Sequence, residues 1–162
     1  MTSGSGRLEF KDAGVGDDGF LFALYCDVRR PEVEAWGWPA GQRDAFLRMQ
    51  WMAQSRSYAA AYPDATHQII REDSVPIGRW LVSRGSGGMR LVDIALLTAH
   101  RNRGLGTMLI QQLIDECRLQ KTALDLQVLR GNPALRLYER LGFKETGSDP
   151  MYIQMQWEPP VA

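Results

Sequence analysis

A chain of 162 residues, 44% hydrophobic and 23% charged, has the length and composition of one ordinary globular domain that needs no metal or disulfide staple. Nineteen Lys and Arg balance nineteen Asp and Glu, so the net basic charge that marks most nucleic-acid binders is missing. No apolar run approaches the ~20 residues of a membrane-spanning helix, and none after Met1–Arg7 is long enough for a secretory signal, so the expected setting is cytoplasmic, with neither nucleic acid nor membrane as partner.

In chain order, residues 1–7 read as a flexible leader and Leu8 to Lys11 as the start of an edge strand. From Asp17, Phe20, Leu21, Leu24, Tyr25 and Val28 recur at helical spacing, and Pro31 is expected to break or redirect that helix. Trp36-Gly37-Trp38-Pro39 marks a loop, and a second helix is expected from about Gln42 to Tyr62, with Leu47, Trp51, Tyr58 and Tyr62 on one face. The period then becomes extended. Strands are expected at Gln68–Arg71 and Pro76–Ser83, with Gly85 to Gly88 as a hairpin tip. Leu91 to Thr98 is nearly all apolar, as in a strand covered on both faces. Gly104 to Gln120 is helical, Ala123 to Leu129 a strand and Asn132 to Leu141 a short helix ended by Gly142. Phe143–Thr146 and Met151–Trp157 close the chain as strands around Asp149-Pro150. That order predicts a single α/β domain.

Cys26 and Cys117 fall in apolar helical patterns, which favours buried thiols over a disulfide or nucleophile. His67 and His100 have no metal-ligand spacing, so no metal is expected.

The most informative stretch runs Leu96-Leu97-Thr98-Ala99-His100-Arg101-Asn102-Arg103-Gly104-Leu105-Gly106-Thr107. A strand enters a glycine-bearing turn that opens a helix, where unpaired amides and the macrodipole favour an anion. Gly104 and Gly106 let phosphate approach the backbone, and Arg101 and Arg103 bring positive charge. A tight turn with no ligand remains open on this segment alone. A Walker loop is absent, and G-x-G-x-x-G fails at its third glycine, which argues against a nucleotide or dinucleotide site.

Downstream stands Asn132-Pro133-Ala134-Leu135-Arg136-Leu137-Tyr138-Glu139-Arg140-Leu141-Gly142-Phe143. Together the two stretches resemble the GNAT superfamily of acyl-CoA N-acyltransferases. Its Arg/Gln-x-x-Gly-x-Gly/Ala motif matches Arg101, Gly104 and Gly106, and its second motif is similar to Asn132, Leu137, Tyr138, Gly142 and Phe143. The resemblance covers about residues 66–157. It implies a GNAT-like mixed, splayed central sheet with flanking helices, and acetyl-CoA as co-substrate. The pantetheine arm would fill the gap between the splayed strands and bond around Leu96, Leu97 and Thr98. The pyrophosphate would lie on the chain from Arg101, Asn102 and Arg103 through Gly104, Leu105, Gly106 and Thr107. Asn132 is expected both as a helix cap and near the cofactor.

The resemblance also implies that Tyr138 gives its proton to the departing thiolate, since a phenol of pKa near 10 stays protonated at neutral pH. The general base stays open: Asp93 is the one charge in an apolar strand, Glu32 and Glu34 are alternatives, and some relatives use water. Trp36, Trp38 and Glu34 are candidates for the acceptor site, with plain packing as the other account of the tryptophans. The implied reaction is direct transfer of acetyl to a primary amine, on a small or aminoglycoside-like molecule. A protein or peptide acceptor, or a non-catalytic acyl-CoA sensor, are the alternatives, and a homodimer is compatible with the sequence.

Overall fold

The computed structural model describes residues 6–85 and 87–161, so Met1 to Ser5 of the expected leader, Ser86 of the expected hairpin tip and Ala162 lie outside the described residues. Gly6 and Arg7 are not loose. Their amides donate to Glu72 Oε2 and Asp73 Oδ1, each at 3.0 Å, which pins the chain ahead of β1 (Leu8–Asp12). β1 pairs antiparallel with β2 (Thr66–Glu72), from Leu8 opposite Glu72 to Asp12 opposite Gln68.

α1 (Asp18–Glu34) runs through Pro31 instead of breaking at it. Proline lacks the N–H that would bond the carbonyl of Asp27, and this is tolerated near the helix end because only about one more turn remains to be formed. Glu32 and Glu34 therefore sit in the last turn of α1, not in a connecting segment. After Trp36–Trp38 comes α2 (Ala40–Ala61), in which only Leu47 is buried; Trp51 and Tyr58 of its expected inner face, like Tyr62 just beyond it, are half-buried.

β2 turns into β3 (Val75–Gly85) through Asp73 and Ser74, whose φ values of +51° and +71° give the left-handed bend of a two-residue hairpin. β4 (Gly88–Leu96) starts earlier than expected and stops two residues short of Thr98, because Thr98–His100 form a 3-10 turn. Its C-terminal half also departs from expectation. Leu91 is buried, but Val92 to Leu97 are all half-buried, so that stretch is not covered on both faces.

α3 (Leu105–Gln120) buries Leu105, Leu109, Ile110, Leu113, Ile114 and Cys117, the stripe its spacing predicts. Each large side chain so buried contributes roughly 1.5–3 kcal/mol. β5 (Leu124–Leu129), α4 (Ala134–Arg140), β6 (Lys144–Ser148) and β7 (Tyr152–Trp157) complete the chain. β6 and β7 form the expected hairpin, and Asp149 fastens its turn by accepting the amides of Met151 and Tyr152 at 2.8 and 2.7 Å.

The strands hydrogen-bond in the order β1-β2-β3-β4-β5-β7-β6, giving a mixed sheet with flanking helices. The parallel register of β4 on β5 comprises Met89 with Leu124 and Arg90 with Asp125, while β5 continues on antiparallel β7 as far as Leu129 opposite Tyr152. The residues gather into two compact units, one up to Leu81 plus Asp93–Arg101, the other Val82–Val92 plus the chain from Asn102 onward. The chain passes between them inside β3, inside β4 and in the turn after His100, so no linker marks a boundary.

Candidate active site

In the first unit, the end of β4 is fully engaged with its own chain. Leu97 N–H donates to Ile77 O at 2.8 Å, and Leu97 O accepts His100 N–H at 2.9 Å. Neither backbone group of Leu97 is therefore open, although the motif places Leu97 at the cofactor. Leu96 O accepts Arg101 Nε at 3.1 Å. Thr98 donates both its amide and its hydroxyl to one oxygen of Asp27 on α1, at 2.7 and 2.8 Å. Burial pushes the Asp27 carboxyl up, but the Thr98 bonds and the charges of Arg30 and Arg101 outweigh it and hold it below the ordinary carboxylate range.

Asp93 is not the isolated carboxylate that its apolar strand suggests. Arg79 on β3 grips it, and the same guanidinium approaches His67 Nε2 on β2 at 3.3 Å and lies 5.9 Å from the Tyr58 ring centroid on α2. Arg79 has only protons to offer, so His67 meets it with an unprotonated nitrogen. Burial first, and Arg79 second, push His67 below its usual value. A base at Asp93 would thus have to work from within an ion pair.

At the residues expected for the acceptor, Trp36 and Trp38 pack tilted with centroids 5.0 Å apart, and Phe46 closes the cluster at 5.5 and 5.3 Å. The rings pack on each other, and each tryptophan keeps 37% of its surface exposed. Glu34 borders a shallow cavity of about 210 Å³ between α1 and α2, where Arg30, Arg43 and Asp44 surround Val33 and Leu47.

The second unit holds the rest. Asn102 has φ +61° and Gly104 φ +78°, a left-handed bend that delivers the chain to α3. Gly104 is the helix N-cap and offers no side-chain cap; the first helical bond runs from Met108 N–H to Gly104 O at 3.0 Å. Gly106 has a helical backbone and room: a Cβ there would come no nearer than 3.8 Å, to Leu137 Cδ2. Packing within the protein does not demand glycine at 106, whereas a phosphate against the amides of the first turn does. That cradle, which a Cβ would fill, fits the pyrophosphate of coenzyme A. Leu105 is buried, and Asn102, Arg103 and Thr107 are exposed.

The Leu137 contact also shows that the first turn of α3 lies against α4, the helix that carries Tyr138. Tyr138 is 7% exposed, its ring 5.6 Å from that of Phe143. Asn132 Oδ1 accepts Ala134 N–H at 2.9 Å, so its side chain caps α4 although Pro133 occupies the formal N-cap. Burial pushes the Cys117 thiol up to about 11, which leaves no thiolate at neutral pH. Among the described residues, no group of three or more His, Cys, Asp or Glu is placed to hold a metal, and no helix is long and apolar enough to cross a membrane.

Sequence reasoning missed Asp27, Arg79 and His67. Nothing in their local pattern separates them from ordinary solvent-facing residues, because their partners lie 12 to 71 positions away.

A mixed sheet whose β4 passes through a glycine turn into α3, with a buried tyrosine on the helix packed beside that turn, is the architecture of the acyl-coenzyme A N-acyltransferase fold. The chain matches the acetyltransferase (GNAT) family over residues 24–143 and belongs to it. It is 29% identical over 152 residues to an L-methionine sulfoximine/L-methionine sulfone acetyltransferase of Pseudomonas paraeruginosa, covering 89% of this chain and 84% of that one. A protein of the same name from Pseudomonas aeruginosa is 28% identical with the same coverage. In fold, the chain is similar to the PaiA N-acetyltransferase of Thermoplasma acidophilum solved in complex with coenzyme A, with a TM-score of 0.68, 15% identity and coverage of 94% of this chain and 99% of that one. The ribosomal-protein-S18-alanine N-acetyltransferase of Escherichia coli gives a TM-score of 0.63 at 18% identity, with 96% of each chain covered. The family's reaction is transfer of an acyl group from coenzyme A to an amine.

Proposed function

We propose that this chain acetylates the primary amine of a small amino-acid-like molecule with acetyl-CoA, by direct attack in a complex of both substrates. The observation that carries this is the turn at Gly104 and Gly106, shaped for pyrophosphate and packed against the helix of Tyr138. Asn102, Arg103, Gly104, Leu105, Gly106 and Thr107 take the pyrophosphate, with Arg101 supplying charge once its side chain leaves Leu96 O. Thr98 acts indirectly, its amide and hydroxyl being held by Asp27. Asn132 holds the start of α4 near the cofactor.

The neutral amine attacks the thioester carbonyl, the carbon–sulfur bond breaks, and the thiolate takes the proton of Tyr138, which is restored from solvent. The proton lost by the amine goes to Asp93 or to water. For the acceptor, support comes from the two relatives, whose names give L-methionine derivatives. The charged cavity beside Glu34, with guanidinium groups for a carboxylate, suits such a molecule. Trp36 and Trp38, in the segment between α1 and α2, serve as further contacts for the acceptor. A panel of amines assayed for coenzyme A release tests the reading: amino-acid derivatives, simple alkylamines, an aminoglycoside and peptide N-termini. Turnover is expected with the amino-acid derivatives; turnover confined to peptides, or binding of acetyl-CoA with no turnover on any amine, would overturn it.

A further inference from the structure

We infer that Asp27, on α1, is a positioning residue for the coenzyme A turn, acting through Thr98 without touching the cofactor. The inference rests on the coenzyme A reading of that turn. A chain leaving a strand must give up the alternating pairing that fixed it, and β4 ends at Leu96, five residues before Arg101. Between them the backbone passes into the 3-10 turn at Thr98–His100. Within it, Leu97 is held through His100 and Arg101 N–H reaches Thr98 O at 3.2 Å, but such bonds fix the turn only relative to itself. Separate elements hold it at three points: Leu97 N–H donates to Ile77 O on β3, His100 Nδ1 lies 3.8 Å from Glu72 Oε1 on β2, and Asp27, 71 positions earlier, takes the Thr98 amide and hydroxyl on a single oxygen and so is the group that fixes Thr98 itself.

The carboxylate divides its two oxygens. Oδ2 holds Thr98, and Oδ1 pairs with Arg30 at 3.1 Å. Its side chain is 13% exposed, so it is a constrained group and not a solvated one. The negative charge of Asp27 falls on Arg101, whose own charge is wanted for phosphate, and that is an electrostatic handicap. Arg30 offsets that handicap. What the carboxylate contributes in return is geometry: two bonds to one side chain fix both the position and the rotamer of Thr98, and so the path of the chain as far as Arg101.

The test measures acetyl-CoA affinity by calorimetry, and hydrogen exchange at the Thr98 and Arg101 amides, in the full-length chain. Asp27→Ala should weaken acetyl-CoA binding about 10-fold and speed exchange at both amides, with kcat changed less than threefold. Asp27→Asn keeps an acceptor oxygen and should bind within about threefold of the parent. Thr98→Val should fall between, and Asp27→Ala combined with Thr98→Val should be no worse than Asp27→Ala alone. Leu24→Ala, on the same helix but in the core, should lower Tm at least as far and leave affinity unchanged. Unchanged exchange or unchanged affinity in Asp27→Ala overturns the inference. Equal loss of affinity in Leu24→Ala does so too, by reducing the effect to instability. A parent chain that takes up no acetyl-CoA overturns the reading of the turn and this inference with it.

Discussion

The chemistry rests on a few side chains whose surroundings set what they can do. Tyr138 is buried on α4 beside the turn that opens α3. Tyr138→Phe keeps the ring against Phe143 and removes the proton, so kcat should fall roughly 10- to 100-fold with acetyl-CoA affinity within a few-fold. Steady-state kinetics under conditions where chemistry limits turnover check this, and the loss should shrink with a thioester of more acidic leaving group. His67 gives the stability of the chain a pH dependence. Burial and then Arg79 hold its folded pKa below the usual ~6.5, with Asp93 and Asp17 opposing, so the folded chain refuses a proton that the unfolded chain accepts. Stability from this group is therefore intact above about pH 6.5 and declines as pH falls below it, by up to ~1.4 kcal/mol per unit, until the folded pKa is reached. Thermal melts between pH 7.5 and 5 should show a shallower decline for His67→Gln than for the parent.

Elements were legible where a single segment carries its own signal. The α3 stripe, the helix cap at Asn132 and the hairpin at Asp149 are all set by spacing or turn chemistry within a dozen residues. Pro31 shows the limit of local signals: its effect is real, but continuation of the helix depends on packing to both sides of it, where Leu21, Leu24 and Val33 are all buried. Because the proline leaves a helical bond unmade, Pro31→Ala should stabilise the chain by about 1–3 kcal/mol, read from chemical denaturation. A fall in stability would mean that proline at position 31 is needed to seat Val33. The end of β4 departs from its sequence signal for another reason. An apolar strand looks alike whether both faces are covered or one half is open, and the partners that complete it, Ile77 and Asp27, are remote in sequence.

At the scale of the whole molecule, the glycine turn and the tyrosine helix could be named from sequence because each is a contiguous motif. The pairings of Asp27 with Thr98 and of Arg79 with His67 and Asp93 could not, since they run across strands and helices. This changes the expected source of ligand stabilisation. The Thr98 amide already has a partner, so acetyl-CoA gains little by satisfying it, and its effect reduces to mass action. At 100 times Kd it should add about 2.7 kcal/mol, or roughly 5–10 °C in Tm, measurable by differential scanning fluorimetry.

The central claim is that the first turn of α3 receives the pyrophosphate, and Gly106 permits a direct test because the protein itself leaves room for a side chain there. Acetyl-CoA titration calorimetry on the parent, Gly106→Ala and Gly106→Asp, each with its thermal stability recorded, separates ligand contact from folding. Gly106→Ala should gain about 0.5–1 kcal/mol of stability from helix propensity and yet bind acetyl-CoA at least 10-fold more weakly. Gly106→Asp, which adds negative charge as well as bulk, should abolish binding while remaining folded. If both folded variants bind acetyl-CoA as tightly as the parent, the pyrophosphate does not lie on this turn.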